Sequence, residues 1–370
     1  MGGASQPDDA ALLLRAVADN HRDWMARCAT AGGAAAVTVD GVALYLTAEA
    51  GLFPVLAPDP DALMEAIRAY DCRSVGYWSV AADDALGAQL VARGFGWGWR
   101  PHWMAIDLDD ADAFAPAPEL PFAVVPAAPP YARTLPYAPS GSVDPPGTFR
   151  LGVRLREKLI GQIAVNPRDG VAGIYSMGVA PRVRGRGIAT ALTRAACRLA
   201  IERGCRHAVL NATAEGERVY RRVGFRSLGW GQTWWYRRGP APTARQVALA
   251  QAVGLGDLAA LRALRPTDAE LDAPLPGTES MLALALDTGQ AAIGEYLLER
   301  RPSLAARRFE PHGTTLLHLA VEHDSVPFAE LALAHRVDPA IRDATFGGTA
   351  LDWAEHFGRA ELAQRLARRV

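Results

Sequence analysis

At 370 residues the chain is too long for one ordinary hydrophobic core, so two or three domains are expected. Half of the residues are hydrophobic and 21% are charged, which excludes a disordered or fibrous chain. A formal net charge of -1 disfavours nucleic acid or a charged membrane surface as partner of the whole molecule.

A helix is expected from Asp8 to Cys28, with Leu13, Leu14, Val17, Trp24 and Cys28 near one face. Short strands follow at Ala36–Val39, Val42–Thr47 and Phe53–Leu56. Asp59 and Pro60 supply an N-cap and a first-turn proline for a helix through Tyr70. Val75–Val80 reads as a strand, and Asp83 or Asp84 caps a helix to Arg93. Gly94-Phe95 then precedes an aromatic stretch, Trp97–Met104. Residues 111 to 148 are rich in proline and alanine, so a linker and a long loop are expected there, with a strand at Phe122–Val125. A hairpin joins Phe149–Leu155 to Leu159–Val165.

The chemistry concentrates in Val179-Ala-Pro-Arg-Val-Arg-Gly-Arg-Gly-Ile-Ala189. An apolar strand, Val171–Met177, leads in. A helix with Ile188, Leu192, Ala195 and Leu199 on one face leads out and stops at Gly204. Gly185 and Gly187 remove side chains where the backbone turns, so N–H groups at the helix start can converge on an anion. Arg182, Arg184 and Arg186 add positive charge, and pyrophosphate is the ligand this suits, with a plain solvated turn as the alternative reading of these residues alone.

The order V-x-P-x-x-R-G-x-G-I-A-x-x-L resembles motif A of the GNAT superfamily of acyl-CoA N-acyltransferases. A second segment, Arg218-Val-Tyr220-Arg-Arg-Val-Gly224-Phe225, is similar to the family's "Y-x-x-x-G-F". The resemblance covers about residues 121 to 238 and implies an α/β fold around a mixed sheet, with acetyl-CoA as cosubstrate; no metal site is expected, since His318 and His323 are five apart, the wrong spacing for one helical face. It implies that Arg184, Gly185, Arg186, Gly187, Ile188 and Ala189 hold the pyrophosphate. Met177 and Val179 would pair with the pantetheine, and a backbone N–H near Val179 would stabilise the oxyanion. Tyr220 would be the general acid, since a phenol of pKa about 10 can protonate a thiolate whose acid form titrates near about 8.5. The alternative for Tyr220 is a core ring. Thr213 stands where the family commonly has an asparagine. Glu157, Asp169, Glu215, Glu217 or a water chain are the candidates for the base.

The upstream half is similar to the downstream one at an offset of 130, aligning Gly94-Phe95 with Gly224-Phe225. Leu90 stands at the position of Tyr220, and residues 52 to 59 replace the Gly-Arg loop. A silent GNAT-like half is therefore expected, with a single prefix domain of unrelated fold as the alternative. Beyond Gly239-Pro-Ala-Pro-Thr243, Ala250, Ala285, Ala320 and Ala354 recur at spacings of 35, 35 and 34. Thr315-Leu-Leu-His318-Leu-Ala320 resembles the ankyrin T-P-L-H-x-A signature, and about four such repeats form an all-α solenoid. His318 then ties adjacent turns together. Trp99, Trp103 and Trp234 are candidate walls of an aromatic substrate pocket, with core packing as the alternative.

The expected organisation is a degenerate GNAT-like domain at 1–110, a linker at 111–120, a catalytic domain at 121–238, a linker at 239–243 and repeats at 244–370. The expected activity is acetylation of a small amine, such as a toxic metabolite or antibiotic. A protein amine recruited by the repeats, or an acyl-CoA sensor without turnover, are the alternatives. Four cysteines without a C-x-x-C pair, no membrane-length apolar run and no leader-like N-terminus point to a reducing cytoplasm.

Overall fold

The computed structural model describes residues 7–31, 35–39, 42–46, 50–52, 59–69, 74–81, 83–109, 112–115, 123–127, 144–156 and 158–369. It forms two compact units, Met1–Ala82 with Arg100–Gln232, and Asp83–Trp99 with Thr233–Val370. The first unit begins with helix α1, Pro7–Ala31. Strands β1 (Ala35–Val39), β2 (Val42–Leu46) and β3 (Ala50–Leu52) run antiparallel in order. Helix α2 (Pro60–Ala69) buries Leu63, Met64 and Ile67 and leads to β4 (Ser74–Ser79), which lies parallel to β3. The strand expected at Phe53–Leu56 lies outside the described residues.

Helix α3 (Asp84–Ala92), capped by the Asp83 side chain, and β5 (Phe95–Trp97) belong to the second unit. The chain then re-enters the first unit as β6 (His102–Asp107) and β7 (Val124–Pro126). It continues through β8 (Phe149–Leu155), β9 (Lys158–Arg168), β10 (Val171–Val179), α4 (Ile188–Glu202), β11 (His207–Ala212), α5 (Ala214–Val223) and β12 (Arg226–Trp230). These strands form a mixed seven-stranded sheet in the order β12-β6-β11-β10-β9-β8-β7, in which β10 and β11 are the parallel pair. Side-chain alternation divides the two faces. Met104, Ile106, Ala208 and Leu210 join the core under α4, whereas Trp103, Ala105 and Val209 pack with Leu13 and Val17 of α1.

Two features redraw the expected boundaries. Strand β6, placed by sequence in an N-terminal half ending at 110, lies between β11 and β12 and pairs with both. Strand β13 (Gln232–Arg237), expected to complete the catalytic half, pairs with β5 instead. The segment expected as linker at 111–120 contains a 3-10 turn, Asp112–Phe114, with Phe114 buried in the α4 core. Apolar burial and backbone pairing, both non-local, override the local proline signal here. Gly94 and Gly224 both have positive φ, 96° and 114°, and each precedes a buried phenylalanine and a pair of strands.

In the second unit, β5 and α3 pack with helices that follow β13. These are α6 (Ala244–Gly254), α7 (Leu258–Leu264), α8 (Asp268–Asp272), α9 (Met281–Asp287), α10 (Ala291–Arg300), α11 (Leu316–Glu322), α12 (Val326–Ala334), α13 (Ala350–Phe357) and α14 (Ala360–Ala367). Thr243, assigned by sequence to a linker, closes a capping box with Gln246 at the start of α6. Ala250, Ala285, Ala320 and Ala354 are all buried. The second helices start after residues of positive φ, Gly256, Gly289, Asp324 and Gly358. His318 joins consecutive turns, since its Nε2 lies 3.0 Å from the Gly348 carbonyl. Trp97 fits against two glycines: a Cβ on Gly87 would stand 3.0 Å from its ring and one on Gly254 2.5 Å. Among the described residues no helix is long and apolar enough to cross a membrane.

Candidate active site

Strands β10 and β11 pair only from Val171↔His207 to Gly173↔Val209. Beyond Gly173 each follows its outer neighbour, so the sheet opens between them towards the end of β10. A β-bulge accompanies the opening. Between Tyr175↔Ala164 and Gly178↔Gln162 two residues of β10, Ser176 and Met177, oppose one of β9, and Ser176 takes a φ of 49°. The edge of β10 that bears Met177 and Val179 is thus free of β11 and can pair with an extended ligand.

The loop after β10 is built as a turn into a bare helix end. Ala180 donates to the Ile160 carbonyl at 2.8 Å, and Pro181–Val183 form a 3-10 turn. The Nε of half-buried Arg184 donates to the Val179 carbonyl at 3.3 Å. Gly185 and Gly187 have φ of 73° and 78°, left-handed values that favour glycine. Gly187 is the N-cap of α4 and offers no side chain to the first turn, so the leading N–H groups of the helix, from Ile188 and Ala189, remain for an anion. Exposed Arg182 and Arg186 flank them. Ile188, 2% exposed, anchors that end. Gly161 of β9 makes room for it: a Cβ there would stand 2.8 Å from Ile188 Cγ2, a packing requirement with no signal in the sequence pattern.

Tyr220 sits on α5 with its ring 6% exposed, over Gly216 and tilted against Phe225 at 5.7 Å. Thr213 caps the helix, its Oγ1 accepting from Gly216 N at 3.1 Å, and Gly224 ends it. The family departure at Thr213 therefore has a local role. Tyr220, Ile188, Met177 and Val179 all belong to, or pack on, one core cluster.

Of the base candidates, Glu157 and the side chain of Glu215 lie outside the described residues. Asp169 is exposed and bonds Arg168 at 3.1 Å. Glu217 bonds Arg221 at 2.6 Å, which holds its carboxyl below the usual range, and approaches His102, a residue the sequence pattern did not single out.

The three candidate tryptophans are divided between the two units. Trp103 is 1% exposed on the α1 face, and Trp234 is wholly buried beside Trp97, with ring centres 6.1 Å apart, in the second unit. Both are core rings, the alternative left open by the sequence. Trp99, 37% exposed, belongs to the second unit as well. The aromatic group on the α1 face is instead His21, Trp24, Trp78, Trp103 and Tyr175. Trp24 stacks on Tyr175 at 4.5 Å, and His21 lies 4.9 Å from Trp78. Tyr175 immediately precedes the bulge in β10, which places this cluster on the face of the opening away from α4.

Comparison with known proteins finds a family match over part of the chain. The acetyltransferase (GNAT) family model matches residues 112–225. No curated protein matches the chain by sequence. Among solved structures, a GCN5-related N-acetyltransferase from Kribbella flavida superposes with a TM-score of 0.47 at 20% identity, covering 61% of this chain and 96% of that one. A tandem GNAT protein from the clavulanic acid biosynthesis pathway gives a TM-score of 0.41 at 15% identity, covering 54% and 79%. A GCN5-related N-acetyltransferase from Sphaerobacter thermophilus gives 0.38 at 17%, covering 54% and 78%.

Proposed function

We propose that this chain, whose residues 112–225 match the acetyltransferase (GNAT) family model, is a cytoplasmic acetyl-CoA-dependent N-acetyltransferase acting on a small amine. The observation that carries the reading is the uncapped start of α4 behind two left-handed glycines, at the end of a strand that has parted from its neighbour. An anion held by the N–H groups of Ile188 and Ala189 lies where Arg184 and Arg186 add charge, and acetyl-CoA brings such an anion in its pyrophosphate. The opened edge of β10 then receives the pantetheine amides at Met177 and Val179.

The reaction follows from this placement. A neutral amine attacks the thioester carbonyl carbon, and a backbone N–H of β10 beyond the bulge stabilises the oxygen as it gains charge. The C–S bond then breaks, and Tyr220 gives its phenolic proton to the departing thiolate. The amine proton leaves through water. The half-buried rings of Trp24 and Tyr175, stacked on the α1 face beside the bulge, suit an acceptor that is cationic or carries a ring. A toxic metabolite or an antibiotic belongs to that class.

We read the helix pairs of the second unit as ankyrin-like repeats and give them a protein-docking role. A protein amine delivered by such docking is the second reading; the regular burial of Ala250, Ala285, Ala320 and Ala354 supports the repeat stacking on which it depends. The test is a calorimetric titration of acetyl-CoA into the wild type and into Gly187→Glu. Binding by the wild type alone is expected, because the variant puts a carboxylate where phosphate would sit. Binding by neither removes the enzyme reading. CoA release in the presence of a panel of primary amines then identifies the acceptor class.

A further inference from the structure

His102 opens β6 and is 2% exposed, yet three side chains from other elements meet on it. The Ser227 hydroxyl lies 2.7 Å from Nε2, Glu217 Oε2 lies 3.3 Å from Nδ1, and the Trp230 ring stacks on the imidazole at 4.3 Å and 8°. A second β-bulge makes the meeting possible. Residues three apart, such as Ser227 and Trp230, point to opposite faces of an unbroken strand. Here the register steps from Ser227↔Met104 to Trp230↔His102 with one residue extra, so both side chains reach the face of His102. That is the face of Met104, the α5 side, from which Glu217 descends.

Charge fixes the tautomer. Glu217 is held ionised by its bond to Arg221, and burial keeps His102 neutral. Nδ1 closes no hydrogen bond, but the carboxylate 3.3 Å away favours the proton on that nitrogen, which leaves the Nε2 lone pair towards Ser227. Gly229 N donates to Ser227 Oγ at 3.2 Å, so the serine's own hydrogen is the one directed to Nε2. Ser227 is exposed, with its two supports behind it.

We propose that Ser227 is a second nucleophilic centre, activated by His102 and Glu217, that cleaves small activated acyl esters, aryl esters in particular. Ser227 Oγ bonds the acyl carbon while its proton passes to His102 Nε2. The ester C–O bond breaks as His102 returns that proton to the departing oxygen. Water, deprotonated by the same imidazole, then hydrolyses the acyl-serine, releasing the acid and restoring the hydroxyl. The bulge takes Leu228 out of the ladder, and its N–H, adjacent to the nucleophile, is the donor for the oxyanion. Trp230 is 46% exposed and offers its outer surface to an aryl leaving group.

The full chain is to be treated with a fluorophosphonate and mapped by mass spectrometry, and assayed with p-nitrophenyl acetate. Modification at Ser227 is expected. Both readouts should vanish in Ser227→Ala and slow by at least about 10²-fold in His102→Gln and in Glu217→Gln, the worth of a positioned general base. An unmodified Ser227 in the wild type overturns the proposal. So does labelling at the wild-type rate in either supporting variant. Because His102 is buried, the exposed-side Glu217→Gln keeps the test open should His102→Gln fail to fold. None of these readouts uses acetyl-CoA, so their failure is distinct from a failure of acetyl-CoA to bind.

Discussion

Tyr175 of β10 donates its phenolic hydrogen to Oδ1 of Asn20 on α1 across 2.9 Å. The same asparagine donates through Nδ2 to the carbonyls of Asn166 and Val171, each at 3.1 Å, so one buried side chain ties the helix to two strands. Replacing it by leucine keeps the volume and takes this partner from the phenol and from both carbonyls. Asn20→Leu is expected to cost about 2–4 kcal/mol, read as a lowered midpoint in urea at unchanged slope.

Tyr220 offers a cleaner separation of chemistry from packing. Its ring already fills the core, so Tyr220→Phe removes one hydroxyl and little else. With the acid role, kcat falls by about 10²-fold while acetyl-CoA affinity and melting temperature hold. Unchanged turnover would reduce Tyr220 to a packing residue.

Burial pushes the His21 imidazole down to about 3, and His318 is lowered by the same cause. A histidine whose folded pKa lies below its unfolded value of about 6.5 binds fewer protons in the native state. Its stabilising effect is complete above that value and is lost as pH falls towards the folded pKa. Stability should therefore decline on acidification from about pH 6.5. His21→Phe, which keeps a ring among Trp78, Trp103 and Tyr175, should flatten the slope of melting temperature against pH.

Gly254 lies in the last turn of α6, where alanine would ordinarily gain about 1 kcal/mol of helix propensity. The Trp97 ring stands 2.5 Å from the position its Cβ would take. The contact is with a packed indole, so the cost of overpacking, about 1–3 kcal/mol, outweighs the gain. Gly254→Ala should destabilise, as judged by chemical unfolding followed through tryptophan fluorescence.

What could be read ahead of the structure was local. The loop at 182–189, the cap at Asp83, the hairpin at 149–168 and the buried alanines each follow from a few neighbouring residues whose spacing reflects one turn or one period. What could not be read depends on partners far along the chain. Nothing around His102 announces that it will face Ser227, because a bulge of one residue decides it. Nothing in His102–Asp107 marks it as a guest between β11 and β12, since its alternation would fit any sheet with two apolar faces. The tryptophans were ambiguous for a related reason, as composition gives an indole's presence and only packing gives its exposure.

The exchange of β6 and β13 has a consequence for synthesis. Strand β6, with Trp103, Met104 and Ile106 along it, leaves the ribosome roughly a hundred residues before its neighbours β11 and β12 exist. β5 waits longer still for β13. Neither pairing can form during translation of the first half, so β6 lacks its neighbours until about residue 230 and β5 lacks its partner until residue 237 has been made. Expression at high rate or temperature should then favour intermolecular strand capture, with inclusion bodies and interlocked dimers as its products.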